Sequence, residues 1–67
     1  MINYLKDFLA KNAGKNYEIT FCFASGKYKI EAFGDTINFN DENTLLCTKD
    51  GEVSILNVNL IERIEFN

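Results

Sequence analysis

Sixty-seven residues with a net charge of −3, from ten acids against seven bases, allow one small domain and disfavour a large electrostatic grip on phosphate backbones. Histidine is absent and there are only two cysteines, which leaves neither a zinc set nor the usual catalytic base; no metal, no cofactor and no enzyme activity is expected. No run approaches the ~20 apolar residues that span a bilayer. Asn3, Lys6 and Asp7 interrupt any leader-like start, so the expectation is a cytoplasmic protein without a membrane partner. In that compartment Cys22 and Cys47 read as small apolar strand residues rather than a disulfide.

Residues 2–13 predict a helix, since Ile2, Leu5, Phe8 and Leu9 recur on one face at helical spacing. Lys11 and Lys15 near its end suit the helix dipole, and Gly14 is the natural left-handed residue after the last turn. From Asn16 the period becomes two. Tyr17, Ile19, Phe21 and Phe23 point inward while Glu18, Thr20, Cys22 and Ala24 point out, and Ser25-Gly26 makes a tight turn. Tyr28, Ile30 and Ala32 continue the inward phase, which then slips by one across Phe33-Gly34 to Ile37 and Phe39. A slip beside glycine predicts a bulge or bend in one long strand; the rival is a hairpin at Gly34-Asp35, giving six short strands. Asn40–Asn43 is a polar loop, Asp50-Gly51 the strongest hairpin signal, and Asn57–Asn59 a short connection.

The expected fold is therefore mainly β with one N-terminal helix, a single domain over residues 1–67. Its five strands lie at about 16–24, 27–40 (bent at Gly34), 44–49, 52–57 and 60–66. The last two carry apolar residues in both phases, more than so short a chain can cover, so pairing with further copies is expected there. Val53, Ile55, Ile61 and Ile64 are the candidate interface residues, Ile61 because it lies on the less core-like face of the final strand.

No Ser-His-Asp or Cys-His set can be built, and the four glycines form no phosphate loop. Tyr28 lies between Lys27 and Lys29 but shares the inward phase of Ile30. The asparagines of the two polar loops combine a donor with an acceptor, as base edges of single-stranded RNA require; they are also ordinary turn residues.

The order of helix, long strand, glycine-bent strand, polar loop, hairpin and final apolar strand resembles the Sm-like family, of the LSm/Hfq type, over nearly the whole chain. Gly34, Ile37, Phe39, Asp41, Asn43 and Leu45 stand for its first motif, with a shorter interval between aspartate and asparagine. Leu56-Asn57-Val58-Asn59 followed by Ile61 and Ile64 stands for its second, with Asn57-Val58 in place of the usual Arg-Gly. The resemblance implies a strongly bent five-stranded antiparallel barrel and a homo-oligomeric ring, the fourth strand of one subunit pairing with the fifth of the next. It also implies single-stranded RNA as partner, with Asp41 and Asn43 shaping a base pocket, Asn57 and Asn59 lining the pore side, and Phe39 as the nearest aromatic. The competing expectation is a structural or protein-docking ring that has lost RNA.

Overall fold

The apolar stripe of the first segment needs a surface to cover, and it finds one over a pair of small sheets. The computed structural model describes all residues, Met1–Asn67. Helix α1 spans Ile2–Lys11 and buries Leu5 completely, with Ile2, Phe8 and Leu9 half-buried beside it. Asn12 ends the helix twice over. Its backbone N–H donates to the Phe8 carbonyl at 3.0 Å and its side-chain Nδ2 to the same oxygen at 2.8 Å.

Six strands follow: β1 Glu18–Phe23, β2 Gly26–Glu31, β3 Thr36–Asp41, β4 Thr44–Lys49, β5 Glu52–Asn57 and β6 Arg63–Phe66. They form two antiparallel three-stranded sheets, ordered β2-β1-β6 and β3-β4-β5. Period-two alternation sends Ile19, Phe21 and Ile30 of the first sheet and Leu45, Cys47 and Leu56 of the second into one core, closed by Leu5 and Ile61. Burying one such side chain fully is worth about 1.5–3 kcal/mol. Only nine of the 67 residues are buried, so the single chain holds a thin core.

The two tight hairpins form as their residues dictate. Asp50 (φ +53°) and Gly51 (φ +79°) both take positive φ, the two-residue turn whose twist matches that of the flanking strands. Across it Lys49 pairs with Glu52, and at the first hairpin Phe23 pairs with Gly26.

Three expectations need correction. The strand expected over 27–40 is two strands in different sheets. The Ala32 N–H still donates to the Tyr17 carbonyl (2.9 Å), after which the chain turns; the Asp35 carboxylate accepts the Glu31 N–H at 2.9 Å, and Gly34 sits at φ +104°. The count is thus six rather than five, yet β2 and β3 do not pair, so no hairpin exists there either, and no closed barrel forms. The phase slip itself is real: Ile30 is buried on one parity, and Ile37 and Phe39 pack against the core on the other.

The last strand is also shorter than expected. Val58–Leu60 is a 3-10 turn, closed by the Ile61 N–H donating to the Val58 carbonyl at 3.1 Å, and β6 starts only at Arg63. This turn reverses the local parity. Ile61 consequently enters the core and is only 7% exposed, in place of the less core-like position expected of it, while Leu60 is left outside. Lastly, Cys22 is buried despite its outward phase, because Lys27 and Arg63 lie directly across the sheet on either side.

Both cysteines are free and buried. Cys47 lies on the inner face, where burial, with a smaller contribution from the Asp35 carboxylate, pushes its thiol from 9.0 up to about 11. No helix is long and apolar enough to cross a membrane.

Two outcomes are expected. Gly34→Val, at a φ that side chains resist, lowers stability by roughly 1–3 kcal/mol in urea titration although nothing crowds the new Cβ. For Cys47 the folded-state pKa is raised, so its contribution to stability is complete below pH 9.0 and is lost as pH rises toward about 11. Urea titrations across that interval show a steeper loss for the natural protein than for Cys47→Ala.

Candidate functional site

Strand β4 runs between β3 and β5, so the turn entering β4 and the end of β5 lie at the same edge of the second sheet. A register shift between Phe39 and Asp41 leaves Asn40 as the extra residue, and Asp41 then pairs with Thr44 across the Glu42-Asn43 turn. Asp41 Oδ1 accepts the Asn43 N–H at 2.8 Å, an Asx turn that fixes the loop. On the neighbouring strand Asn57 Oδ1 accepts the Asn59 N–H at 2.9 Å and so caps the 3-10 turn.

Asn43 joins the two halves. Its backbone carbonyl accepts the Val58 N–H at 2.9 Å, and its Oδ1 accepts from Asn59 Nδ2 at 3.4 Å. Thus Asp41, Asn43, Asn57 and Asn59, drawn from loops sixteen residues apart, form one exposed polar cluster. The Asn43 and Asn57 amide nitrogens keep their donors, and Asn59 Oδ1 its acceptor capacity, because the hydrogen bonds within the cluster use the other atoms.

Phe39 does not join this cluster. It is half-buried on the inner face of β3 and lines an adjoining cleft of about 570 Å³ between the start of α1 and the β3–β4 turn. Lys6 reaches over its ring, with Nζ 5.1 Å from the centroid, and Asp41, Glu42 and Val58 complete the wall. Lys6 was not legible as a site residue, since only the docking of α1 brings it to β3. Asp41 and Glu42 stand with Lys6 around this cleft, so it offers a phosphate no concentration of positive charge.

The candidate interface residues divide. Val53 (64% exposed) and Ile55 (71%) project from β5, which pairs with β4 on one side and has no strand on the other. Ile64 is half-buried on the inner face of β6, beside Phe66. Ile61, as above, belongs to the core.

The outer faces of the two sheets differ in kind. On the first, Lys27, Lys29 and Arg63 face Glu18 and Glu65, with ion pairs of 3.8, 3.7 and 3.1 Å between exposed groups. On the second, the cross-strand rows are Thr36–Thr48–Val53, Asn38–Leu46–Ile55 and Asp41–Thr44–Asn57, with Asp41 the one charge among them. No group of three or more acids or cysteines converges as a metal would require. Comparison with protein-family models, with curated proteins and with solved structures finds no match to this chain.

Proposed function

We propose that this chain is a divergent Sm-like protein that assembles into a homo-oligomeric ring in the cytoplasm and holds single-stranded RNA weakly; it catalyses no reaction. The observation that carries this reading is the set of four open strand edges, β2, β3, β5 and β6, with two large apolar side chains left in water on β5. A thin core gives the chain a reason to assemble. The order of elements also suits the reading: β2 and β3 take the place of the single bent strand of the family, and the 3-10 turn falls between its fourth and fifth strands. The free, buried cysteines suit a reducing compartment.

The RNA site in this reading is the polar cluster of Asp41, Asn43, Asn57 and Asn59, with Phe39 at its margin as an incomplete stacking platform. Each spare amide can meet a base edge, and a ring repeats the cluster once per copy. Asparagines displace no counterions, so affinity stays low. A second reading, a protein-docking ring without RNA, is favoured by one observation: Asp41 and Glu42 put negative charge at the site, and Asp41 joins the polar cluster itself.

Light scattering of the purified protein should give a mass several times that of one chain; a monomer in dilute solution would overturn the ring. Labelled oligo-U and oligo-A titrations decide between the two readings. At physiological salt we expect Kd in the micromolar range or weaker, on the order of 10⁻⁶ M or above. Asn57→Arg should tighten binding and steepen its salt dependence by about one unit of slope for each phosphate the new guanidinium neutralises. If neither oligonucleotide binds and Asn57→Arg adds nothing, the docking ring takes the place of the RNA site.

A further inference from the structure

None of the four outer edges has a strand beside it, yet one of them differs from the rest. In an antiparallel strand the N–H and C=O of one residue point to the same side, and those of the next residue to the other. The Ala32 N–H donates to the Tyr17 carbonyl, so Ala32 points toward the first sheet's middle strand. Glu31, Lys29 and Lys27 therefore point away from it, out of the open edge of β2. Two of these three residues are already engaged. The Asp35 carboxylate accepts the Glu31 N–H at 2.9 Å, and the Lys49 ammonium donates to the Lys29 carbonyl at 2.7 Å. On β3, β5 and β6 no backbone group takes a side-chain hydrogen bond.

A strand that adds to an edge exchanges bonds with the N–H and C=O of alternate residues in turn. On β2 the successive outward residues Glu31 and Lys29 each have one of those groups occupied, which leaves Lys27 alone with both. The two caps arrive from different places. Asp35 lies four residues on, in the turn that leaves the sheet, whereas Lys49 reaches across from the end of β4. Each bond has one ionised partner, the stronger kind of hydrogen bond. A newcomer would have to break both and leave a carboxylate and an ammonium stranded against its own backbone. Lysine at an exposed edge is a known way for a sheet to refuse further strands.

We infer that Lys49 and Asp35 guard the edge of β2, holding it closed to a strand of a second copy. The guard is independent of the ring and of RNA, since a lone chain needs it as much as an assembly does. It also makes the four edges unequal: one is capped by side chains from elsewhere in the fold, and three are not.

Two experiments test the guard. In the natural protein the Glu31 and Lys29 amides point out of the same edge, the first bonded to Asp35 and the second to nothing. Hydrogen exchange followed by NMR, corrected for local sequence, should be about tenfold slower or more at Glu31. Asp35→Ala should abolish that difference, and Asp35→Asn, which keeps an acceptor oxygen, should preserve it. Equal exchange at the two amides of the natural protein would overturn the cap. The second experiment uses Lys49→Met, which keeps the apolar stem and removes the donor. It makes the chain one charge more negative, and this by itself opposes association. With its circular dichroism spectrum unchanged, the variant should still at least double the mass seen in light scattering relative to the natural protein at equal concentration. Lys29→Pro in the same background removes an outward N–H without touching a bond to β1, and should restore the natural mass. A Lys49→Met mass equal to the natural one, alone and with Asp35→Ala added, would overturn the guard. So would an association that Lys29→Pro leaves in place. Every comparison is made against the natural protein, so the result decides the guard whether that protein is a ring or a single chain.

Discussion

The turn from Ala32 to Asp35 is where one sheet becomes two, and most of the architecture follows from it. Up to Ala32 the chain is still bonded to the first sheet through the Tyr17 carbonyl; four residues later it is a strand of the second. The Asp35 carboxylate, which accepts the Glu31 N–H, and Gly34 at φ +104° make the change of direction local. Six strands divided in this way have four outer edges. Two of them, β2 and β3, are joined by the turn without pairing, and Lys49 of β4 donates to the Lys29 carbonyl of β2 at 2.7 Å. The other two are β5 and β6, and none of the four has a further strand beside it within the chain. An open edge is a liability in a monomer and a joint in an assembly.

Much of this was readable from residue order because period and punctuation agreed. Leu5 and its helical companions, the alternation of Ile19 and Phe21, and the Asp50-Gly51 turn each depend on contacts within a few residues. The phase slip between Ile30 and Ile37 was readable too, but its cause was not: a bend within one sheet and a passage between two sheets leave the same mark on parity. The stretch 58–62 failed for a related reason. A 3-10 turn has three residues per turn, so Val58 and Ile61 fall on one side, and alternation carried through from β5 assigns Ile61 to the wrong face. The polar residues of the cluster were legible singly; that Asn43 touches Asn59 depends on β4 lying between their strands.

The contrast between the outer faces bears on which surface can be given up to a partner. Arg63 and Glu65 on the first sheet are well hydrated, and exposed ion pairs such as theirs contribute little to stability, typically about 0–1 kcal/mol. Their value lies in keeping that face in water. Covering the second sheet away from Asp41 costs no ion its hydration, since the rows Thr36–Thr48–Val53 and Asn38–Leu46–Ile55 hold threonine, asparagine and aliphatic side chains only. The paired charges thus lie on the outer face of the first sheet, and Val53 and Ile55 stand on that of the second. That arrangement limits the geometries in which copies can meet without burying an unpaired charge.

Assembly and RNA binding make opposing electrostatic demands on this sequence. Each copy adds three negative charges, so the field around a ring grows more repulsive to a polyanion with every subunit. Apolar contacts at the strand edges are indifferent to that field beyond a Debye length of about 8 Å at physiological salt, whereas a phosphate chain must pass through it. Local chemistry does not reverse the balance, because the donors of Asn43 and Asn57 sit beside Asp41 and Glu42. Any nucleic acid held there would be recognised by its bases and opposed through its backbone. Binding of that kind selects unpaired strands, whose base edges are free, and rejects duplexes, which offer mainly phosphate. The same field would not hinder a protein partner with a basic surface, which is why the docking reading gains wherever the RNA reading loses.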